Sequence, residues 1–367
     1  MLIKDDERFG ASATAADPFA KMDDDEKRSY FIGRYLTSRT NQKVLYFHTP
    51  FCPVKCRFCH YHSERLDSDA QLKEFVHSIL PFQAQQFDLP LRQTTFDQVY
   101  FGGGTPTIMD ADMMAFMFNL IPRFDGIPVK CVESSPSTLT TEHAELFRDR
   151  GFNFVSVGVQ SLNELICQKW GRPHVTRDEL LRITSCLAQF GLYLNIDLIC
   201  FMGERDVRDL PDFAQDLSFV LDECQPQSVT VHQLSQSSFS PATTGALIET
   251  LREMLEQHPG YVCANSLLQD ADRVPDSVYE AEYRFTKRQD SFSHYMWGKY
   301  SGLPIEGYDI LSLGYLPDMP TASNAGDLLY LPNSGQLSHV QYHPFWHRDY
   351  LRIRRELGFD TGGRGNG

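Results

Sequence analysis

The chain predicts an α/β fold of repeated strand–helix units with a parallel sheet, followed by a smaller α+β region. Three observations carry that reading. Short apolar runs of β-forming residues recur at Val44–His48, Gln98–Phe101, Val129–Glu133, Phe154–Val159, Leu192–Ile199 and Ser228–Leu234. Their starts lie 25 to 54 residues apart, which leaves room for a helix in every gap. Polar residues and glycines gather at or near the carboxyl ends of the runs (Cys52, Gly102 to Thr105, Glu133, Gln160, Asp197, His232), where βα loops build the sites of such folds. Six units of this kind suit an open doubly wound sheet and a partial or closed barrel equally, and the pattern alone does not choose.

The elements follow in order. Residues 1–42 carry the acidic run Asp23 to Glu26 among small polar neighbours and read as a tail passing into a short helix. Residues 43–240 hold the βα units. Several of their strands are apolar throughout, as strands covered on both faces must be. Residues 241–367 form the smaller region, with helical stretches at Gly245–Gln257 and Ser277–Gln289, an aromatic β-like run at Phe292–Trp297, and a Gly-rich end expected to fray.

Composition narrows the function. With 42% hydrophobic and 22% charged residues in 367, the chain has the make-up of a globular protein with a sizeable core. A formal charge of −14 and a pI near 5.3 oppose a sequence-independent grip on nucleic acid or anionic lipid. The longest apolar stretch, Leu192 to Met202, contains Asn195 and Asp197 and falls short of the roughly 20 residues that span a bilayer. The amino end lacks a cationic start and an apolar core, so no secretion signal is expected and the cytoplasm is the predicted location.

Six of the nine cysteines (Cys131, Cys167, Cys186, Cys200, Cys224, Cys263) stand singly in apolar or helical stretches and read as small core residues. The other three, Cys52, Cys56 and Cys59, share one C-x3-C-x2-C loop. Crowded thiolates in a reducing compartment point to metal, and they favour iron–sulfur or zinc. Zinc would need a fourth ligand, such as His60 or His62. A [4Fe–4S] cluster is the favoured reading, and three cysteines for four irons leave one iron open. Gly102, Gly103 and Gly104 end a strand without side chains, so backbone can approach a ligand there, and Thr105 adds a hydroxyl.

The cysteine loop, with Phe58 before its last cysteine, resembles the signature of radical S-adenosylmethionine (SAM) enzymes. Further motifs match in order and spacing: Tyr46-Phe-His-Thr-Pro-Phe-Cys52, Val99-Tyr-Phe-Gly-Gly-Gly-Thr-Pro-Thr107, Glu133-Ser-Ser-Pro136, Val155-Ser-Val-Gly-Val-Gln-Ser161, Gly171-Arg-Pro-His174 and Asn195-Ile-Asp-Leu-Ile199. Together they are similar to the oxygen-independent coproporphyrinogen III dehydrogenase-like (HemN/HemW-like) family, strongly over residues 43–235 and faintly over 290–320. The resemblance implies a (βα)6-type, TIM-like radical SAM barrel, partial or closed. It implies a [4Fe–4S] cluster whose open iron is chelated by SAM, and an electron donor such as flavodoxin or ferredoxin. Reductive cleavage of SAM would then yield a 5′-deoxyadenosyl radical.

Matched residue by residue, Tyr46, Gly103, Gly104, Thr105, Glu133, Gln160, Arg172 and Asp197 correspond to the family's SAM contacts. Phe58 and Val231 would lie near the adenine, and Arg172 would offer its planar fork to the SAM carboxylate. His60, His62 and His232 are candidates for proton transfer. Tyr61 stands where coproporphyrinogen dehydrogenases proper have a further cysteine. The expected substrate is therefore a small or conjugated molecule, with methyl or methylene transfer from a second SAM as the leading chemistry. A tetrapyrrole oxidase, a haem-ring-opening enzyme and a non-catalytic haem-trafficking protein are the alternatives. The carboxyl-terminal third, rich in aromatic and histidine residues from His294 to His347, would suit a flat substrate.

Overall fold

The computed structural model describes residues 24–37, 42–59, 63–200, 210–234, 241–263, 280–287, 308–316, 329–333, 336–342 and 345–346. The chain opens with α1 (Asp24–Thr37), β1 (Gln42–Thr49), β2 (Phe51–Cys52) and β3 (Glu64–Arg65). Helices α2 (Asp69–Glu74), α3 (Leu80–Gln86) and α4 (Asp88–Gln93) follow. Then come β4 (Gln98–Gly103), α5 (Ala111–Asn119), β5 (Val129–Ser134), α6 (Thr141–Asp149), β6 (Phe154–Gln160), α7 (Glu164–Trp170) and α8 (Arg177–Gln189). After them stand β7 (Tyr193–Cys200), α9 (Leu210–Phe219), β8 (Ser228–Leu234) and α10 (Pro241–Gln257). The remaining elements are β9 (Tyr261–Cys263), β10 (Glu280–Lys287), β11 (Tyr308–Leu316), β12 (Leu329–Asn333), β13 (Gln336–Tyr342) and β14 (Phe345–Trp346). All six strands expected from the apolar runs are present, each within about two residues of its expected bounds.

One expectation is overturned. Residues 277–289 read as helix, yet Glu280–Lys287 is a strand, antiparallel to β8 from Glu280↔Leu234 to Thr286↔Ser228. Its sequence Glu-Ala-Glu-Tyr-Arg-Phe-Thr-Lys combines helix formers with a period of two, and the open edge of β8 decides in favour of the period. The Phe292–Trp297 run lies outside the described residues.

Contacts divide the chain into two compact units that do not follow chain order. One comprises Met1–Pro53, Tyr61–Lys130 and Ile305–Gly367. Its sheet runs β12-β13-β11-β1-β4, with β1 parallel to both β11 and β4. A ladder of rings packs its core: Phe47 on Phe101 at 4.9 Å, Phe101 on Phe118 at 5.0 Å, and Phe118 stacked on Phe124 at 4.7 Å. The acidic α1 is tied to β1 through Lys43, whose Nζ donates to Tyr35 O at 2.9 Å and lies 4.6 Å above the Tyr35 ring.

The other unit comprises Val54–His60 and Cys131–Pro304. Its strands run β5-β6-β7-β8-β10-β9, the first four parallel. Strand β6 is buried at every position but its last, as expected of a parallel strand covered on both faces. Helices α6 and α8 start on capping boxes, Thr140 with His143 and Thr176 with Glu179, which satisfy orphan backbone donors. Among the described residues no helix is long and apolar enough to cross a membrane.

Candidate functional site

In the first unit, the end of β1 and its continuation β2 are strapped to the glycine run of β4. Gly104 N donates to Thr49 O at 2.6 Å and Thr105 N to Phe51 O at 2.8 Å. Thr105 Oγ1 donates to Cys52 Sγ at 3.5 Å, so the hydroxyl expected beside the cofactor faces a candidate cluster ligand. Gly103 sits at φ +103°, and a Cβ there would stand 2.7 Å from Thr49 O and 2.8 Å from His48 Cε1. A Cβ on Gly104 would collide with Phe51 O. Only bare backbone fits. Tyr46 lies in β1, half-buried, stacked on Tyr100 at 6.1 Å, with its hydroxyl 3.1 Å from His48 Nδ1.

In the second unit, the rest of the cysteine loop is pinned to the end of α7. Arg57 N donates to Trp170 O at 3.0 Å and its Nη1 to Lys169 O at 3.1 Å. Phe58 meets Trp170 edge-on at 6.5 Å and packs with Ile166 and Ile199. Cys56 is buried, Cys59 half-buried, and Cys59 N donates to Cys56 O at 3.2 Å. Because α7 ends at Gly171, Arg172 is delivered directly behind this loop. Its Nη2 donates to Gly158 O and, at 3.1 Å, to Ser135 Oγ, while its Nη1 lies 3.8 Å from Cys56 Sγ. The guanidinium is therefore held with one edge towards a candidate ligand sulfur, with donors left over for an anion.

Asp197 is held from two sides. Ser156 Oγ donates to its Oδ2 at 2.9 Å and Asn195 Nδ2 to its Oδ1 at 2.6 Å. Asn195 is itself fixed by Ser228 at 2.7 Å and Thr230 at 3.1 Å, both donating to its Oδ1. Each Asp197 oxygen keeps a lone pair for a hydroxyl-bearing ligand. Gln160 follows an irregularity in the β6–β7 ladder and adopts φ +73°. Its Oε1 is buried and has no hydrogen-bond partner among the described residues. Glu133 is half-buried near the end of β5, opposite Ser156. Val231 is fully buried in β8 opposite Leu198, and His232 follows it, half-buried, opposite Ile199. His60 and His62 lie outside the described residues.

His48, Ser135, Ser156 and Asn195 were not singled out by sequence reasoning as partners of the site, although all sit inside the quoted motifs. Asn195 and Asp197 share one strand face by their spacing of two, a signal that was available. No local signal marks Asp216, which anchors the turn after Gln160 from 55 residues away.

The mostly parallel α/β fold, the three-cysteine loop and the bare strand end at Gly103 and Gly104 are the features to set beside known proteins. Residues 46–217 match the radical SAM superfamily. The heme chaperone HemW of Haemophilus influenzae is 26% identical over 199 residues, covering 52% of this chain and 50% of the relative. The oxygen-independent coproporphyrinogen III oxidase of Bradyrhizobium diazoefficiens is 30% identical over 176 residues, covering 46% and 38%. The chain thus spans about half or less of the curated relatives it matches. The solved structure of coproporphyrinogen III oxidase (HemN) from Escherichia coli, a radical SAM enzyme, superposes with a TM-score of 0.56 at 19% identity, over 72% of this chain and 60% of that one. Over the matched residues the chain is similar to HemN/HemW-like radical SAM proteins.

The superfamily matched over residues 46–217 uses a [4Fe–4S] cluster and SAM, and the residues present fit them. Cys52, Cys56 and Cys59 form no disulfide among the described residues. The glycine strand end admits only backbone, and the buried Gln160 oxygen lacks the donor that a ligand would bring. Among the described residues, no three His, Cys, Asp or Glu side chains are placed to hold a single metal ion. A four-iron cluster asks for no such convergence, since each cysteine takes a different iron.

Proposed function

We propose that this chain is a SAM-cleaving radical enzyme acting on a tetrapyrrole or another flat conjugated molecule. The observation that carries the reading is Arg172, anchored to Gly158 and Ser135 and facing Cys56, because it joins a carboxylate-binding fork to a cluster ligand. In this reading Cys52, Cys56 and Cys59 hold the cluster. Arg172 receives the SAM carboxylate, and Glu133 and Gln160 accept from SAM donors. Asp197, oriented by Ser156 and Asn195, accepts from ribose hydroxyls. Gly103 and Gly104 let backbone groups approach the methionine end, Thr105 and Tyr46 line it, and Phe58 and Val231 flank the adenine. His60, His62 and His232 are the groups available for proton transfer at the substrate.

When bound, the cluster held by Cys52, Cys56 and Cys59 would supply one electron for reductive cleavage of SAM. That electron comes from a flavodoxin- or ferredoxin-class donor. The tetrapyrrole class is supported by the relatives, which are named for haem and coproporphyrinogen. A second reading, haem carriage without turnover, is favoured by the relative named a heme chaperone.

The test is anaerobic reconstitution with iron and sulfide, reduction in the presence of SAM, and chromatography of the products. 5′-Deoxyadenosine that increases with a tetrapyrrole substrate supports the first reading. S-adenosylhomocysteine formed alongside it would add methyl or methylene transfer from a second SAM. Intact cluster, no deoxyadenosine and stoichiometric haem binding would replace the enzyme by the carrier.

A further inference from the structure

The turn after β6 is held by a buried carboxylate that the chemistry above leaves unused. Asp216 in α9 is 7% exposed. Its Oδ2 accepts from Leu162 N at 2.8 Å and from Ser161 Oγ at 3.1 Å. Ser161 Oγ also accepts from Asn163 N at 3.1 Å, and Cys167 Sγ donates to Ser161 O at 3.3 Å. The residue before this knot is Gln160, with φ +73° and the buried, partnerless Oε1. A side chain bearing a Cβ keeps such a backbone angle only where its surroundings impose it. Desolvation of Asp216 outweighs these hydrogen bonds and the charge of Arg177, with Asp212 adding repulsion, and raises its pKa. A carboxylate retained at such a cost calls for a purpose beyond filling space.

We infer that Asp216 is a positioning residue for SAM: it clamps Ser161 and Leu162 so that Gln160 is held with its amide oxygen ready to accept from a SAM donor. The inference rests on the proposed assignment of Gln160 as a SAM contact. No part of Asp216 touches SAM in this arrangement. It acts through the backbone angle of its neighbour's neighbour.

A double-mutant cycle tests it, with SAM affinity of the reconstituted full-length protein read by anaerobic equilibrium dialysis and folding followed by thermal melts. Gln160→Leu is expected to weaken SAM binding on the order of tenfold, and Asp216→Ala by a similar factor. The double variant should bind no more weakly than Gln160→Leu alone, because both act on one contact. Asp216→Asn, which keeps an oxygen able to accept both hydrogen bonds, should restore affinity to within about threefold of wild type. Should Asp216→Ala fail to fold, Ser161→Ala removes one of the two bonds and replaces it in the cycle. Additive losses, or an Asp216→Ala that folds and binds SAM normally, would overturn the clamp while leaving Gln160 in place. An unchanged affinity in Gln160→Leu would overturn the Gln160 assignment, and the clamp with it.

Discussion

The side-chain amide of Gln83 closes a pair of hydrogen bonds with the backbone of Gly314: Nε2 donates to Gly314 O at 2.8 Å, and Oε1 accepts from Gly314 N at 2.8 Å. Strand β11 pairs with β13 at Ile310 and Leu311 and with β14 at Tyr315 and Leu316, so Gly314 falls between the two ladders. Gln83, fully buried in α3, supplies the missing pair. Replacing it by leucine leaves one donor and one acceptor buried and unmatched. Gln83→Leu is therefore expected to cost about 2–4 kcal/mol, read as a lower urea midpoint at unchanged slope.

Gly103 provides the second expectation. A methyl group at φ +103° would meet both Thr49 O and the His48 ring, so the strand end must shift. Gly103→Ala is expected to lose about 1–3 kcal/mol of stability and most of its SAM affinity. Thermal melts and equilibrium dialysis check the two effects separately. Normal SAM binding by a folded Gly103→Ala would remove the glycine run from the cofactor site.

Cys56→Ala is expected to abolish the cluster while leaving the fold. Its loop is pinned by Arg57 and Phe58, which the substitution does not touch. The visible absorbance of the cluster after reconstitution should vanish as far-UV circular dichroism stays unchanged. Cys200→Ala, at the buried carboxyl end of β7, should retain the absorbance.

Burial also separates the thiols by reactivity. It pushes Cys167 up to about 11 and Cys224 up to about 12. Alkylation at pH 8, followed by mass spectrometry, should mark Cys167 and Cys224 far more slowly in the folded protein than in urea-unfolded protein, since thiolate is the reacting form. The sign for stability follows. The unfolded Cys167 thiol loses its proton near its ordinary value of 9.0 and the folded one only at about 11, so the native state loses stability as pH rises between them. Cys167→Ala should flatten that alkaline slope.

Much of the frame was legible in one dimension. Parallel strands covered on both faces announce themselves as apolar runs, and all six were found near their true bounds. The thiolate loop and the glycine run were legible for a similar reason: their chemistry lies in residues a few positions apart. Strand β10 was misread because its helix formers and its alternation compete locally, and pairing with β8 settles the contest. Strand β11, which begins 264 residues after Val44 and is yet the parallel neighbour of β1, stands in the stretch of faint resemblance and is not among the strands expected from the apolar runs.

From its sequence alone, then, this chain reads as a βα-repeat protein with a three-cysteine loop and a bare strand end, because backbone period and residue spacing are local properties. Tertiary structure decided which side chains hold the candidate contacts still: Ser135 for Arg172, Asn195 for Asp197, Asp216 for the Gln160 turn, and Gln83 for Gly314. Those partners are chosen by packing, and buried polar groups must be matched wherever the fold happens to place them, up to 231 residues apart. Only Asn195 has its partner close enough in sequence for spacing to reveal it.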